Sequence, residues 1–200
     1  MNKPNLLFPT PVWTLQLKNY EEVNEEMYTF IKSNQIKDER GINKSNIKGW
    51  HSNDFDLKEK EPKNFINFIS PYIEKVMIDM NWDREKQTVK ISNMWSIINT
   101  GGSTNSRHQH GNSTISGAYY VRAPEKCGDI VFYDPRPAPV YSYPTALGPN
   151  LLNAQVNGIN PKEGVLILFP SYVDHSVNEN LSNDERIVIS FNLIIKMLGN

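Results

Sequence analysis

The residues best suited to chemistry are three of the four histidines in the chain. His108 and His110 form an H-x-H pair, and His175 follows an apolar run that ends at Pro170. Residues i and i+2 of an extended strand face the same side, so both imidazoles of the pair can reach one metal ion, with His175 as a third ligand. Imidazole nitrogen suits Fe, Zn, Cu or Ni, and three ligands leave positions open for substrate or oxygen. The alternative is that these histidines only form hydrogen bonds at the surface.

Short β-strands are the elements that must position these histidines. Apolar and β-branched runs separated by Gly, Pro and Asn begin near residue 89 and cover residues 89–98, 114–121, 129–133, 164–169 and 186–195. Several short strands joined by turns predict an antiparallel sandwich or barrel.

By contrast, the first ninety residues are predicted to form helices and loops that precede this β-rich part of the chain. Residues 21–33 carry Val23, Met27 and Ile31 at helical spacing, and apolar residues recur every three or four positions between residues 65 and 80. Pro71 should kink the second helix or restart it with Ser70 as its cap. Residues 41–57 between the helices are predicted to be a loop.

One connection in the β-rich part is too long for a simple turn. Residues 134–163 contain six prolines. Long connections in a compact domain are usually functional, so we expect either an active-site lid or an arm that joins two subunits of a homodimer.

Length and charge exclude several classes of protein. A chain of 200 residues is predicted to be a single domain, with helical support from residues 1–90 and a β core from residues 91–200. A formal net charge of −1 gives no basic field for nucleic acid or a membrane surface. With no signal-like apolar segment and only one cysteine, Cys127, the expected location is the cytoplasm.

Two stretches resemble the cupin motifs. Gly102 lies six residues before the H-x-H pair, as in the first motif, and Gly164, Pro170 and His175 match the spacing of the second. The usual glutamate after H-x-H is missing, since Thr114 and Ile115 occupy those positions.

A closer resemblance extends over most of the chain. The matching motifs are L-F-P-T-P-V from Leu7, H-x-H-x-x-S-x-x-S-G-x-Y-Y-V from His108, F-Y-D-P-R from Phe132, F-P-S-x-x-x-H-x-V from Phe169 and E-R-I-x-I-S-F-N from Glu185. Together they resemble the Fe(II) and 2-oxoglutarate-dependent oxygenases related to prolyl hydroxylases. The chain differs from the wider superfamily at His110, where an acidic ligand is usual.

This resemblance implies a double-stranded β-helix (jelly roll, cupin-like) and an enzyme that uses Fe(II), O₂ and 2-oxoglutarate to hydroxylate a substrate, which the sequence does not identify. It places iron at His108, His110 and His175. Arg186 would bind the distal carboxylate of 2-oxoglutarate, with help from Ser190 and Tyr120.

Weaker candidates surround this site. Asn99, Asn105 and Arg107 lie near the histidine pair in sequence, and Arg136 flanks the long connection, so each is a candidate for supporting the ligands or touching substrate. An ion pair between Asp134 and Arg136 is the alternative for the last. We expect Met94 and Trp95 in the core, and His51 to be an exposed histidine that could cap the site.

Three function classes therefore remain. The first is the 2-oxoglutarate-dependent oxygenase, and the second is a cupin-type enzyme with three histidine ligands and no 2-oxoglutarate. The third is a non-catalytic β-helix binding domain that has lost its metal. Arg186 discriminates between the first two, and metal content separates both from the third.

Overall fold

Short apolar runs separated by turns form the strands of two antiparallel sheets. The computed structural model describes residues 4–136 and 144–198. In chain order the elements are β1 (Trp13–Gln16), α1 (Glu21–Lys37), β2 (Asn46–Ile47), β3 (Trp50–His51), α2 (Lys60–Asp79), β4 (Gln87–Asn99), β5 (Thr104–His108), β6 (Ile115–Arg122), β7 (Ile130–Tyr133), β8 (Val156–Ile159), β9 (Val165–Pro170), β10 (His175–Val177) and β11 (Arg186–Met197).

The strands are arranged so that sequence neighbours often lie in different sheets. The larger sheet has the order β1-β9-β6-β11-β4-β3, and the smaller sheet has the order β2-β5-β10-β7-β8. Apolar side chains of β6 and β9 pack against those of β7 in one buried cluster between the sheets. This is the predicted mainly β architecture.

Alternation along β11 divides the larger sheet into an outer and an inner face. Ile187, Ile189 and Phe191 belong to the core shared with the helices, whereas Val188 belongs to the cluster between the sheets. Arg186 lies on the inner face with Val188, because side chains two apart point to the same side. Polar residues are thus carried into the space between the two sheets.

The two helices cover the outer face of the larger sheet. Met27 and Ile31 of α1 and Phe65 of α2 are fully buried in the core that they share with β6 and β11. Asn24 fastens α1 to β6: its Nδ2 donates to the Val121 carbonyl at 2.9 Å, and its Oδ1 accepts from the Tyr119 hydroxyl at 2.6 Å.

The prediction that Pro71 would restart the second helix is wrong. A single helix, α2, runs through Pro71, and the Ser70 hydroxyl donates to the Ile66 carbonyl at 2.6 Å instead of capping a new helix. The carbonyl of Asn67, which loses its partner at Pro71, belongs to an exposed residue and can be hydrated. The first helix is also longer than predicted, since it ends at Lys37.

The five predicted strands are present, but others escaped prediction. Residues 41–57 contain the two-residue strands β2 and β3 as well as loop, and β1 is an edge strand paired with β9. Strands β5, β8 and β10 are only three to five residues long; β5 and β10 are largely polar, and β8 is largely exposed. The first ninety residues are therefore not only helical support, because they contribute strands to both sheets.

The long connection 134–163 is partly ordered into β8, which pairs with β7. Residues 137–143 lie outside the described residues, so the prediction of a lid or subunit arm stays a prediction. Within the described ranges, no helix has the length and apolar character needed to span a membrane.

Candidate metal centre

Three histidines converge between the sheets at one end of the smaller sheet. His108 ends β5 and lies opposite His175, the first residue of β10, in the antiparallel register. Potential ligand nitrogens of His108, His110 and His175 all lie within 4.8 Å of one another. His110 lies just beyond the end of β5, where its backbone N–H donates to the Ser171 carbonyl at 3.0 Å. We predicted that one extended strand would hold both histidines of the H-x-H pair. This is confirmed for His108 and wrong for His110, which lies outside the strand.

Each of the three rings has its Nδ1 beside an oxygen acceptor. His108 Nδ1 lies 2.7 Å from the Ser106 carbonyl, and His175 Nδ1 lies 3.0 Å from the Val173 carbonyl. His110 Nδ1 lies 2.6 Å from Oδ1 of Asn192. Carbonyl oxygens only accept hydrogen bonds, so each Nδ1 carries the proton and each Nε2 keeps a free lone pair. The tautomer that a metal requires at Nε2 is thus fixed at all three positions.

Burial keeps these rings neutral. Desolvation lowers the pKa of His108 and that of His110, and desolvation followed by the proximity of His108 lowers the pKa of His175 to about 3. Three neutral imidazoles with free lone pairs match the donor set preferred by iron and related transition metals.

No carboxylate completes this cluster within the described residues. The side chain of Asp174, next to His175 in sequence, accepts from Nη2 of Arg107 at 2.6 Å in an ion pair. Arg107 also stacks over the Tyr133 ring, with 4.1 Å between its Cζ and the ring centroid.

The histidines open into a cavity of about 530 Å³ between the two sheets. Arg186, Tyr120 and Ser190, which the resemblance assigned to 2-oxoglutarate, line this cavity together with the three histidines. The residues assigned from separate motifs are therefore brought to one place.

Arg186 is a buried cation without an acidic partner among the described residues. It is 1% exposed, and its Nη1 donates to the carbonyls of Cys127 at 2.8 Å and Gly128 at 3.1 Å. Its Nε and Nη2 donate to no described residue. Burial lowers the pKa of Arg186, but a guanidinium stays charged in proteins. Such a buried charge calls for an anionic ligand in the cavity.

Gly128 permits the close backbone approach that holds Arg186. Its φ is +90°, and a Cβ at this position would lie 2.2 Å from the carbonyl oxygen of Asn178. A larger residue would displace this turn and with it one of the two acceptors of Arg186.

The weaker candidates are divided between several places. Asn105 lines the cavity, and Asn99 lies buried behind it, donating to Oδ1 of Asn105 at 3.0 Å. Arg136 pairs with Asp134 at 2.7 Å and lines a different groove, which is formed with the N-terminal segment. The structure does not bring Arg136 to the histidines.

Three residues of the cavity wall were missed or misjudged from sequence. His51 is buried, not exposed as expected, and Trp95 lines the cavity instead of lying only in the core. The Trp95 ring is stacked between His51 and His110, at centroid distances of 5.8 and 5.7 Å. Asn192 follows Arg186 and Ser190 at even spacing on β11, a signal that could have placed it in the site.

Comparison with known proteins agrees with the architecture. A family model described as "Putative 2OG-Fe(II) oxygenase" matches residues 93–192, whereas no curated protein matches the chain. The fold is similar to that of a prolyl-4-hydroxylase from Pseudomonas putida, with a TM-score of 0.63, 10% identity and 92% of each chain covered.

Two further structures share the fold. The viral collagen prolyl hydroxylase of Paramecium Bursaria Chlorella virus-1 has a TM-score of 0.61 and 13% identity, over 91% of this chain and 94% of the other. The epimerase SnoN, solved with Fe3+, alpha ketoglutarate and nogalamycin RO, has a TM-score of 0.68 and 8% identity, over 92% of this chain and 79% of the other. The predicted double-stranded β-helix is confirmed.

Proposed function

Since this chain belongs to the 2OG-Fe(II) oxygenase family, we propose that it binds iron(II) through Nε2 of His108, His110 and His175 and binds 2-oxoglutarate beside them. The observation that carries this proposal is the set of three Nδ1 acceptors. They leave three lone pairs close enough together for one metal ion. A histidine replaces the acidic ligand, so iron(II) keeps about two positive charges instead of about one.

The co-substrate is a dianion and fits this charge. Nε and Nη2 of Arg186, which donate to no described residue, would hold its distal carboxylate, because the planar fork of a guanidinium suits bidentate recognition of a carboxylate. The hydroxyls of Tyr120 and Ser190 line the same cavity and form no hydrogen bond with a described residue, so both are available to this ligand.

The chemistry belongs to the bound groups, and the chain orients them. Iron(II) and 2-oxoglutarate, when bound, would supply the oxidising chemistry: O₂ would be the oxidant, 2-oxoglutarate would be converted to succinate and CO₂, and the substrate would be hydroxylated. Ile130, Phe169 and Val188 line the cavity and exclude water around the metal. Asn192 holds His110 in its metal-binding tautomer through the 2.6 Å hydrogen bond at Nδ1.

The buried position of Arg186 favours this function over a cupin-type enzyme without 2-oxoglutarate. A three-histidine enzyme acting directly on its substrate has no need of a guanidinium that lacks an acidic partner in the cavity. We extend the proposal to the cytoplasm, a reducing compartment that keeps iron(II) and the free thiol of Cys127 reduced. A homodimer stays a prediction.

Substitution of Arg186 tests the proposal. Arg186→Ala leaves the distal carboxylate unpaired in a partly dry cavity, which costs about 2–5 kcal/mol. The variant should therefore bind 2-oxoglutarate at least about thirtyfold more weakly, and Arg186→Lys, which keeps the charge but loses the fork, should fall between. The measurement is calorimetric titration with 2-oxoglutarate, with Mn(II) in the site to prevent turnover.

Two controls make this titration specific. Mn(II) affinity should be nearly unchanged in both variants, because Arg186 is not a proposed ligand. Arg122→Ala removes an arginine that pairs with Glu25 on the helix side of the sheet, and it should bind 2-oxoglutarate like the wild type. Equal 2-oxoglutarate affinity in the wild type and both Arg186 variants would contradict the proposal. It would favour a cupin-type enzyme that uses three histidine ligands and no 2-oxoglutarate.

A further inference from the structure

One wall of the cavity has no role in holding iron or 2-oxoglutarate. It is formed by the segment around β2 and β3, which contributes Lys44, His51 and Asp54, and by β4, which contributes Trp95. The ring stack from His51 through Trp95 to His110 joins this wall directly to a proposed metal ligand. A molecule bound against it would lie beside the metal, where the primary substrate of an oxygenase must be.

Two buried polar atoms of this wall lack protein partners. Trp95 is 8% exposed, and its Nε1 donates to no described residue. His51 is 5% exposed, and its Nδ1 lies 2.6 Å from the Ser52 carbonyl, so Nε2 carries a lone pair that no described residue occupies. Buried polar groups in folded proteins are nearly always paired. One donor, Trp95 Nε1, and one acceptor, His51 Nε2, are therefore left to pair with complementary groups of a bound ligand.

Two opposite charges border the same wall. Lys44 and Asp54 line the cavity, and neither forms an ion pair within the described residues. Burial is the main reason that the pKa of His51 is lowered, and the two charges act on the same ring in opposite senses, Lys44 lowering its pKa and Asp54 raising it. The wall therefore offers two groups suited to an anion, Trp95 Nε1 and Lys44 Nζ, and two suited to a cation, His51 Nε2 and the Asp54 carboxylate.

We propose that this wall binds the primary substrate and that the substrate is a zwitterion of the amino-acid class. Its carboxylate is held by Trp95 and Lys44, and its ammonium group by His51 and Asp54. The inference rests on the proposed function, since it takes the metal and 2-oxoglutarate to occupy the rest of the cavity. At about 530 Å³ the cavity has the size of sites that hold drug-sized molecules, so a small second ligand fits beside the five-carbon co-substrate.

The first test uses the wild-type protein loaded with Mn(II) and then with 2-oxoglutarate, each binding step being measured by calorimetry. The loaded protein is titrated with each of the standard L-amino acids, and at least one should bind. The N-acetyl and carboxamide derivatives of that amino acid each lose one charge, so each should bind at least about tenfold more weakly.

The second test assigns the binding to this wall. Lys44→Gln and Asp54→Asn should each weaken the amino acid at least about tenfold, and Trp95→Phe, which keeps a ring but removes the N–H, should also weaken it. The matched controls are Lys48→Gln and Asp56→Asn, which make the same changes in charge at exposed residues that do not line the cavity. Both controls should stay within about twofold of the wild type.

Failure of the inference is distinguishable from failure of the proposed function. If Mn(II) and 2-oxoglutarate bind but no amino acid does, or if the neutralised derivatives bind as tightly as the zwitterion, the substrate class is wrong. If Lys44→Gln and Asp54→Asn bind the amino acid as tightly as their controls do, the amino acid does not bind at this wall. If Mn(II) or 2-oxoglutarate itself does not bind, the proposed function fails, and this inference fails with it.

Discussion

At each proposed ligand, the hydrogen bond at Nδ1 determines what the imidazole can do. Two of these bonds end on backbone carbonyls within two residues of the ring, so local chain geometry supplies them. The third ends on a side chain, Asn192, whose Oδ1 also accepts from the Ser116 hydroxyl at 2.8 Å. His110, the proposed ligand at the position where an acid is usual, is therefore the one that depends on a distant residue.

Asn192 should accordingly control metal affinity. In Asn192→Ala the acceptor at His110 Nδ1 is lost, and removal of such a partner typically weakens metal binding about 10–100-fold. Asn192→Asp keeps an accepting oxygen and should stay within about tenfold of the wild type. Calorimetric titration with Mn(II) measures both, with circular dichroism to establish that each variant is folded. Wild-type affinity in a folded Asn192→Ala protein would show that the tautomer of His110 does not depend on this bond.

The sequence identified the chemistry-bearing residues more readily than the residues that support them. His108, His110, His175 and Arg186 belong to residue types and spacings with few structural uses, and all four line one cavity. Asn192 and the wall formed by His51 and Trp95 depend on register between strands that are distant in sequence. The pairing of β11 with β4, which aligns Asn192 with Asn93, is not encoded in any short motif.

At the scale of elements, strand length and polarity decided which predictions succeeded. The five predicted strands are apolar on at least one face, as β9 illustrates with six consecutive buried residues. Strands β5 and β10 carry His108 and His175, and their polar residues, needed for the site, remove the hydrophobic pattern by which strands are recognised. Functional demands on these strands thus explain why they escaped prediction.

The link between α1 and β6 provides a stability test separate from the site. Asn24→Ala removes the acceptor of the buried Tyr119 hydroxyl, whereas the Val121 carbonyl keeps Nη1 of Arg122 as a donor at 3.3 Å. The unsatisfied Tyr119 hydroxyl costs about 1–3 kcal/mol, so the free energy of unfolding should fall by about that amount in urea titrations.

Its control is Asn67→Ala, at an exposed asparagine of α2, which should change the free energy of unfolding by no more than about 0.5 kcal/mol. Mn(II) affinity should be unchanged in both variants, because neither residue lines the cavity. If Asn24→Ala were as stable as its control, these hydrogen bonds would not fasten the helix to the sheet.

At the scale of the whole molecule, the helices stabilise one face of the larger sheet so that the other face can carry polar groups. The core beneath the helices is apolar, whereas the inner face contributes Arg186, Ser190 and Asn192 to the cavity. Because the histidines are buried and neutral, the free energy of unfolding of this molecule depends on pH.

The metal-free protein should therefore lose stability on acidification. Burial lowers the pKa of all four histidines below the ordinary value of about 6.5, that of His175 to about 3, so below about pH 6.5 the unfolded chain binds more protons than the folded chain. The free energy of unfolding should rise with pH across this window and be lost as the pH falls through it. Urea unfolding in the presence of a chelator at about pH 7.5 and about pH 5 measures the difference, which His175→Gln should reduce. Equal stability at both values would mean that the histidines are not buried as described.

We propose that one cavity binds both iron(II), through His108, His110 and His175, and 2-oxoglutarate, through the same iron and Arg186. Anaerobic titration of the protein with Fe(II), with and without 2-oxoglutarate, tests both parts in one measurement. We expect a weak visible metal-to-ligand charge-transfer band that requires both additions and is absent in His108→Ala and His175→Ala. Absence of the band in the wild-type protein at saturating Fe(II) and 2-oxoglutarate would contradict it.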